Sequence, residues 1–347
     1  MDDMSLIPSV LDDIGQVANQ IARQNVLSDY QDRKSFQTTR RQRADIALFE
    51  QFLAEAEQFV KGFTYDPEKW QGLIADLSRW NGITWGLVEA FCKWQLQKGY
   101  ALGSVNVRLS TIKVYCKHAA KANQLSTQEL ALIKNIDSYR TSEARNIDEK
   151  RTQTRQKHAK KAQPTGLSPV HAELLKKQPS TKKGHRDTLI MCLLLDHALR
   201  VGEVADLNVS SISLSSGQLT IYRHKTNKTQ THNLTPDTYQ AARLYLADCK
   251  PDQVPLFIGV KSKNRINTRT INERVGQLGE AIGIKELSPH DCRHFFATDA
   301  IRNRTDIKTL QDAGGWNSPA MPLRYAESAK IANEGIRLST FKKDQKG

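Results

Sequence analysis

Long apolar runs are missing from this chain: none of its 347 residues lies in a stretch approaching the ~18 uninterrupted apolar positions that a membrane-spanning helix needs. A helical membrane protein is therefore not expected, and the acidic start Met1-Asp2-Asp3-Met4 lacks the positive opening of a signal peptide. Cysteine is scarce and dispersed. The five thiols, Cys92, Cys116, Cys192, Cys249 and Cys292, are odd in number and contain no C-x-x-C pair, which argues against a disulfide framework or a zinc ribbon and for reduced thiols in a reducing compartment. No Gly-rich phosphate loop is present, so ATP is not expected. His290 and His294 stand four apart, but the glutamate of H-E-x-x-H is absent and no third ligand accompanies them, so neither a metal nor any other cofactor is expected.

What is present in quantity is positive charge. The formal net charge is +14, while a hydrophobic fraction of 39% is enough for a globular protein. Each phosphate neutralised by Lys or Arg releases counterions, so a polyanion is the favoured partner and nucleic acid the first candidate. A cytoplasmic, nucleoid-associated protein is expected. The length suits two domains.

Along the chain, residues 1–35 carry Ile7, Val10, Leu11, Ile14, Val17, Ala18 and Ile21 at helical spacing. The polar face of this helix is acidic (Asp12, Asp13), and its stripe is expected to pack on its own domain, with an oligomer contact as the alternative. Residues 36–139 predict a helical domain. Ile46, Phe49, Leu53, Ala56 and Phe59 form one stripe; Leu87, Val88, Phe91 and Trp94 form another, between a cap at Thr84 and a stop at Gly99. A further helix opens near Ser104, where Lys113, Lys117 and Lys121 recur every four residues with Arg108 nearby. No acid interrupts them, so this row is a candidate phosphate contact as well as a solvated face. Trp70, Trp80, Trp85 and Trp94 are expected in the core.

Residues 140–165 hold eight Lys or Arg and few large apolar side chains, the composition of a basic linker. The second domain, 166–347, starts at the cap Ser168-Pro169. An apolar helix runs to Leu199, a short hairpin spans 217–234 with a turn at Thr226-Asn227, and helices resume at Thr235-Pro236 and along Ile271, Val275, Leu278 and Ile282. The fold class expected is mainly α with a small β-sheet.

The last third collects side chains suited to phosphodiester chemistry. Displacement at phosphorus builds charge on the non-bridging oxygens, which guanidinium groups complement bidentately; Arg200 and Arg293 are the candidates. His290, three before Arg293 on a helix capped by Ser288, can act as acid or base or donate to the same phosphate. Trp316 offers an N–H that cannot titrate, and Glu203 can hold Arg200 or a neighbour in place. Tyr325 is the candidate nucleophile. The leaving oxygen needs a proton, for which Lys225 is the first candidate and Lys228 the alternative; physical reasoning does not separate them.

Four motifs carry a resemblance: Arg200-x-Gly202-Glu203-x-x-x-Leu207, His224-Lys225-Thr226, His290-Asp291-x-Arg293-His294-Phe295, and Gly315-Trp316 with Tyr325 nine residues later. In these the chain resembles the tyrosine recombinase (phage integrase) superfamily, with a flavour of its Cre branch in Gln311-Asp312-Ala313-Gly314-Gly315-Trp316. The resemblance is strong over 185–330 and only topological over 36–138. It implies a C-shaped DNA clamp made of a helical core-binding (SAM-like) domain and a mixed catalytic domain. It further implies attack by Tyr325 to give a 3′-phosphotyrosyl link, strand exchange by a homotetramer on double-stranded DNA with an inverted-repeat core site, and a C-terminal tail (about 328–347) that docks on a neighbouring subunit. Pro322 departs from the threonine many relatives carry and restricts the segment before the nucleophile. Type IB topoisomerase-like relaxation and a non-catalytic DNA-binding protein of the same fold are the alternative functions.

Overall fold

The computed structural model describes residues 6–57, 70–143, 146–147, 165–259 and 263–329. The chain divides into two compact units, residues 1–160 and 161–347.

The first unit contains α1 (Leu6–Asp32), α2 (Phe36–Glu57), a 3₁₀ turn (Leu77–Trp80), α3 (Trp85–Gln97), α4 (Leu102–Lys121) and α5 (Thr127–Lys134). Local signals set several of these boundaries. The Thr84 hydroxyl accepts from the Leu87 amide to open α3, and Gly99, at φ +80°, follows its last turn. The core gathers Ile46, Phe49 and Leu53 of α2, Val88 and Phe91 of α3, and Leu109, Ile112 and Tyr115 of α4 around a fully buried Trp80. Trp80 donates its indole N–H to the Leu73 carbonyl, while Trp94 and Trp70 reach the carboxylates of Glu55 and Glu57. Trp85, expected in the core, instead remains 44% exposed.

The stripe of α1 also departs from expectation. Val10, Leu11, Ile14, Val17 and Ile21 are each more than half exposed, and only Val26, Leu27 and Tyr30 near the C-terminal end pack on the core. A 27-residue helix is about 40 Å long. Its body within the unit meets only the last turns, so the expected packing of the stripe on its own domain is not what the described residues show.

The second unit contains α6 (Pro169–Lys176), α7 (Lys182–Leu195), α8 (Val201–Asp206), β1 (Ile212–Ser213), β2 (Gln218–Arg223), β3 (Lys228–Asn233), α9 (Pro236–Ala247), α10 (Thr268–Ala281), α11 (Pro289–Arg302), α12 (Ile307–Gly314) and α13 (Ala320–Ala329). Its centre is α7, buried from Leu189 to Leu195, with α6, α9 and α11 packed against it. The three strands form one antiparallel sheet in the order β1-β2-β3, with register Ile212↔Leu219 and, across the hairpin, Arg223↔Lys228 to Gln218↔Asn233. On β2, Leu219, Ile221 and Arg223 face inward and Gln218, Thr220 and Tyr222 outward.

Pro322 is the third residue of α13, where its missing N–H removes no intrahelical bond, so it fits the first turn. All five cysteines are free thiols; burial pushes Cys92 up to about 11 and Cys116 to about 12, which leaves both unreactive at neutral pH. The expected basic linker and the amphipathic tail lie largely outside the described residues, as does Phe59.

Candidate active site

Arg200 owes its position to a break in the chain. Helix α7 stops at Leu195, Ala198 takes the left-handed conformation at φ +52°, and the chain re-enters a helix with Arg200 as N-cap of α8. Glu203, at the third position of α8, accepts the Arg200 amide at 2.7 Å and its Nη1 at 2.8 Å. The same carboxylate, 5% exposed, also accepts Nη1 of Arg223 at 2.7 Å. One buried carboxylate thus serves two guanidinium groups.

Arg293 projects from the start of the second turn of α11, a helix that Ser288 caps by accepting from the Asp291 amide. It is 4% exposed and donates to the carbonyls of Ala198 and Gly314. The Ala198 turn therefore positions Arg200 and anchors Arg293 at once. Burial, reinforced by the positive charges of Arg200 and Arg223, pulls Arg293 down to about 9, which still leaves it protonated at neutral pH.

The turn after α12 gathers all three arginines. Arg223 Nη2 donates to the carbonyl of Ala313 at 2.7 Å, Arg293 to that of Gly314, and Arg200 Nη2 to that of Gly315 at 3.4 Å. Carbonyls at a helix C-terminus lack intrahelical partners and carry the negative end of the helix dipole, so cations satisfy them well. Two glycines make the approach possible. A Cβ on Gly314 would lie 1.8 Å from the Trp316 ring, and one on Gly315, at φ +60°, would lie 2.5 Å from Arg223 Nε.

The turn delivers Trp316 onto Arg293, with the guanidinium carbon 4.3 Å from the ring centroid. Tyr325 of α13 packs against the same indole at 5.7 Å and meets the His294 ring edge-on at 4.8 Å. It is 2% exposed, in a small apolar cluster with Ala297 and Leu310, and burial raises its phenol above the usual value against the pull of Arg293, Arg324 and Arg200. His290 is exposed, and its Nε2 lies 3.1 Å from that of His294.

Lys225 stands exposed in the hairpin turn, which the Thr226 amide closes by donating to the Arg223 carbonyl at 3.0 Å; Asn227 there has φ +50°. Lys228, also exposed, opens β3 directly opposite Arg223 and so shares that residue's face of the hairpin. The second unit therefore brings Arg200, Glu203, His290, Arg293, Trp316 and Tyr325 together and holds Lys225 and Lys228 on the adjoining hairpin. In the first unit the row on α4 divides. Arg108 donates to Gln95, approaches Asp45 and covers the Tyr100 ring, and Lys113 donates to the carbonyls of Lys134, the last residue of α5, and of Ile136 just beyond it. Both are engaged in holding the unit together, whereas Lys117 and Lys121 are exposed.

Sequence reasoning missed Arg223, although the alternation of β2 places it inward with Leu219 and Ile221. It also read His294 only as part of a motif or a metal pair, not as the ring beside Tyr325.

Residues 168–331 match the phage integrase family. The chain is 26% identical over 248 residues to the tyrosine recombinase XerA of Pyrococcus furiosus, covering 70% of this chain and 77% of the relative. It is 27% identical over 273 residues to the tyrosine recombinase XerC of Thermodesulfovibrio yellowstonii, covering 75% and 79%. Its fold is similar to the Tn1549 transposon integrase in complex with a circular intermediate DNA, at TM-score 0.54 and 14% identity over 80% of this chain and 94% of that one. A lambda integrase dimer bound to a COC′ core site shares it at TM-score 0.52 and 15% identity, over 83% and 98%. With the motifs and the geometry of its second unit, the chain is similar over residues 168–331 to the phage integrase family of tyrosine recombinases.

Proposed function

We propose that this protein is a site-specific DNA recombinase that cleaves and rejoins DNA through Tyr325, acting in the reducing cytoplasm on nucleoid DNA. The observation that carries this reading is the packing of Arg293 and Tyr325 against one indole, Trp316, with Arg200 bonded to the same turn. Three guanidiniums and one carboxylate leave a surplus of two positive charges (3 − 1 = 2) around this centre. That surplus complements a phosphodiester whose charge rises as it passes through a five-coordinate transition state.

The Tyr325 oxygen attacks phosphorus, the bond to O5′ breaks, and a 3′-phosphotyrosyl link forms. The phenol proton passes to the His290–His294 pair, and Lys225 protonates the departing O5′, with Lys228 as the alternative donor. Attack by a 5′-hydroxyl from a second duplex reverses each transfer and frees the tyrosine, so the bond energy is conserved and no nucleotide cofactor enters. Four protomers acting on two duplexes with inverted-repeat core sites fit this reversal, and Lys117 and Lys121 of α4 are suited to backbone phosphates.

Detergent capture of protein-linked fragments from genomic DNA tests the reading. Wild type is expected to yield fragments with free 5′-hydroxyl ends clustered at one core sequence, while Tyr325→Phe binds the same DNA and yields none. Equal capture by the two proteins, or none by either, overturns it in favour of a non-catalytic DNA-binding protein. Relaxation of arbitrary supercoiled plasmid with no joined product points instead to a type IB topoisomerase.

A further inference from the structure

Arg223 is a fully buried cation whose charge counts towards the surplus around the phosphate site, but the transfer steps above give it no contact with the reacting atoms. Burying a guanidinium is costly unless its donors are satisfied, and here they are satisfied by three different parts of the catalytic unit. Nη1 donates to Glu203 at 2.7 Å, on the carboxylate that also holds Arg200; Nη2 donates to the Ala313 carbonyl at 2.7 Å, one residue before the carbonyl that holds Arg293; Nε donates to Gln230 of β3 at 2.6 Å. Gln230 in turn donates to the Asp312 carbonyl at 2.9 Å, a second tie between the hairpin and the end of α12. The backbone of the same residue has another task. Its carbonyl accepts the Thr226 amide that closes the turn containing Lys225.

We propose that Arg223 is a positioning residue for the general acid: it fixes the β2–β3 hairpin against Glu203 and the Ala313–Gly315 turn, so that the hairpin lysine is held in register with the phosphate site. A hydrophobic residue at this inward position would fill the space as Leu219 and Ile221 do. It would not reach across to α8 and the α12 turn with directional bonds, and the approach to Gly315, where only hydrogen fits in place of a Cβ, shows how closely the guanidinium is seated. Nothing in this arrangement requires Arg223 to touch DNA.

The proposal rests on the reading of Lys225 or Lys228 as proton donor, and the test keeps the two ideas apart. Single-turnover cleavage by the full chain is measured on a nicked duplex carrying the captured core site, with oxygen or with sulfur at the bridging 5′ position. A thiolate leaves without a proton, so a defect in proton delivery disappears with sulfur and a general structural defect does not. Arg223→Gln is expected to slow cleavage of the oxygen substrate by about 30-fold or more and of the sulfur substrate by less than about 3-fold, the pattern also expected of Lys225→Ala or Lys228→Ala. If neither lysine variant is rescued by sulfur, the reading of the hairpin lysine fails. If a lysine variant is rescued and Arg223→Gln is not, the positioning role fails. Should Arg223→Gln not fold, Gln230→Ala, which removes one bond to Arg223 and one to α12, is read by the same ratio and decides the proposal in the same way.

Discussion

His197 lies one residue before the Ala198 turn and is 2% exposed, with its Nε2 3.1 Å from the Thr238 hydroxyl. Burial, aided by the positive charge of Arg223, lowers its pKa to about 4, well below the ordinary value of 6.5. The unfolded chain therefore binds the proton more readily, and His197 contributes stability that is complete above pH 6.5 and is lost as the pH falls towards 4. Between pH 7.5 and pH 5 the loss from this one group is roughly 2 kcal/mol. Urea unfolding at both values is expected to show that His197→Gln loses less stability over this interval than wild type. An equal loss would mean that the imidazole is not held neutral. At the same scale, the pairing of Arg200 and Arg223 on Glu203 explains how two cations are tolerated so close to Arg293, since each has a carboxylate bond and a carbonyl bond of its own.

Among the elements, α1 carries the clearest divergence between its pattern and its packing. The spacing of Val10, Ile14, Val17 and Ile21 identifies a helix, and a helix forms, but periodicity states only which residues share a face and not what covers it. Since these side chains are already in solvent within the described structure, replacing Ile14 and Val17 together by Glu is expected to change the unfolding free energy by less than about 1 kcal/mol in chemical denaturation. A loss of about 3 kcal/mol or more would place the stripe in a buried contact. The hairpin teaches the converse. Alternation along β2 was legible, yet Arg223 was not taken for an inward residue, because charge outweighs period when a sequence is read and the three partners that reverse the judgement come from Glu203, Gln230 and Ala313, 20, 7 and 90 positions away. Caps fared better. Ser168, Thr235 and Ser288 act within four residues, so their helices were readable where they begin.

For the whole molecule, a net charge of +14 describes affinity for a polyanion but does not say which cations meet it. The row on α4 illustrates the difference. Helical spacing put Lys113, Lys117 and Lys121 on one line, whereas the fold turns Lys113 onto carbonyls at and just beyond the end of α5 and leaves Lys117 and Lys121 exposed. Counterion release assigns each lysine that pairs with a phosphate about 0.9 units of the slope of log K against log salt on duplex DNA. Lys117→Ala and Lys121→Ala are therefore each expected to flatten that slope by about 1 without changing the melting temperature. Lys113→Ala is expected to do the opposite, lowering the melting temperature because the last carbonyls of α5 lose their cation, while the slope is preserved. Binding titrations at four or five salt concentrations, beside a thermal melt of each variant, separate the two classes. A slope that flattens for Lys113→Ala and stays fixed for Lys117→Ala and Lys121→Ala would reverse the assignment and put the DNA backbone on the α5 end of the helix.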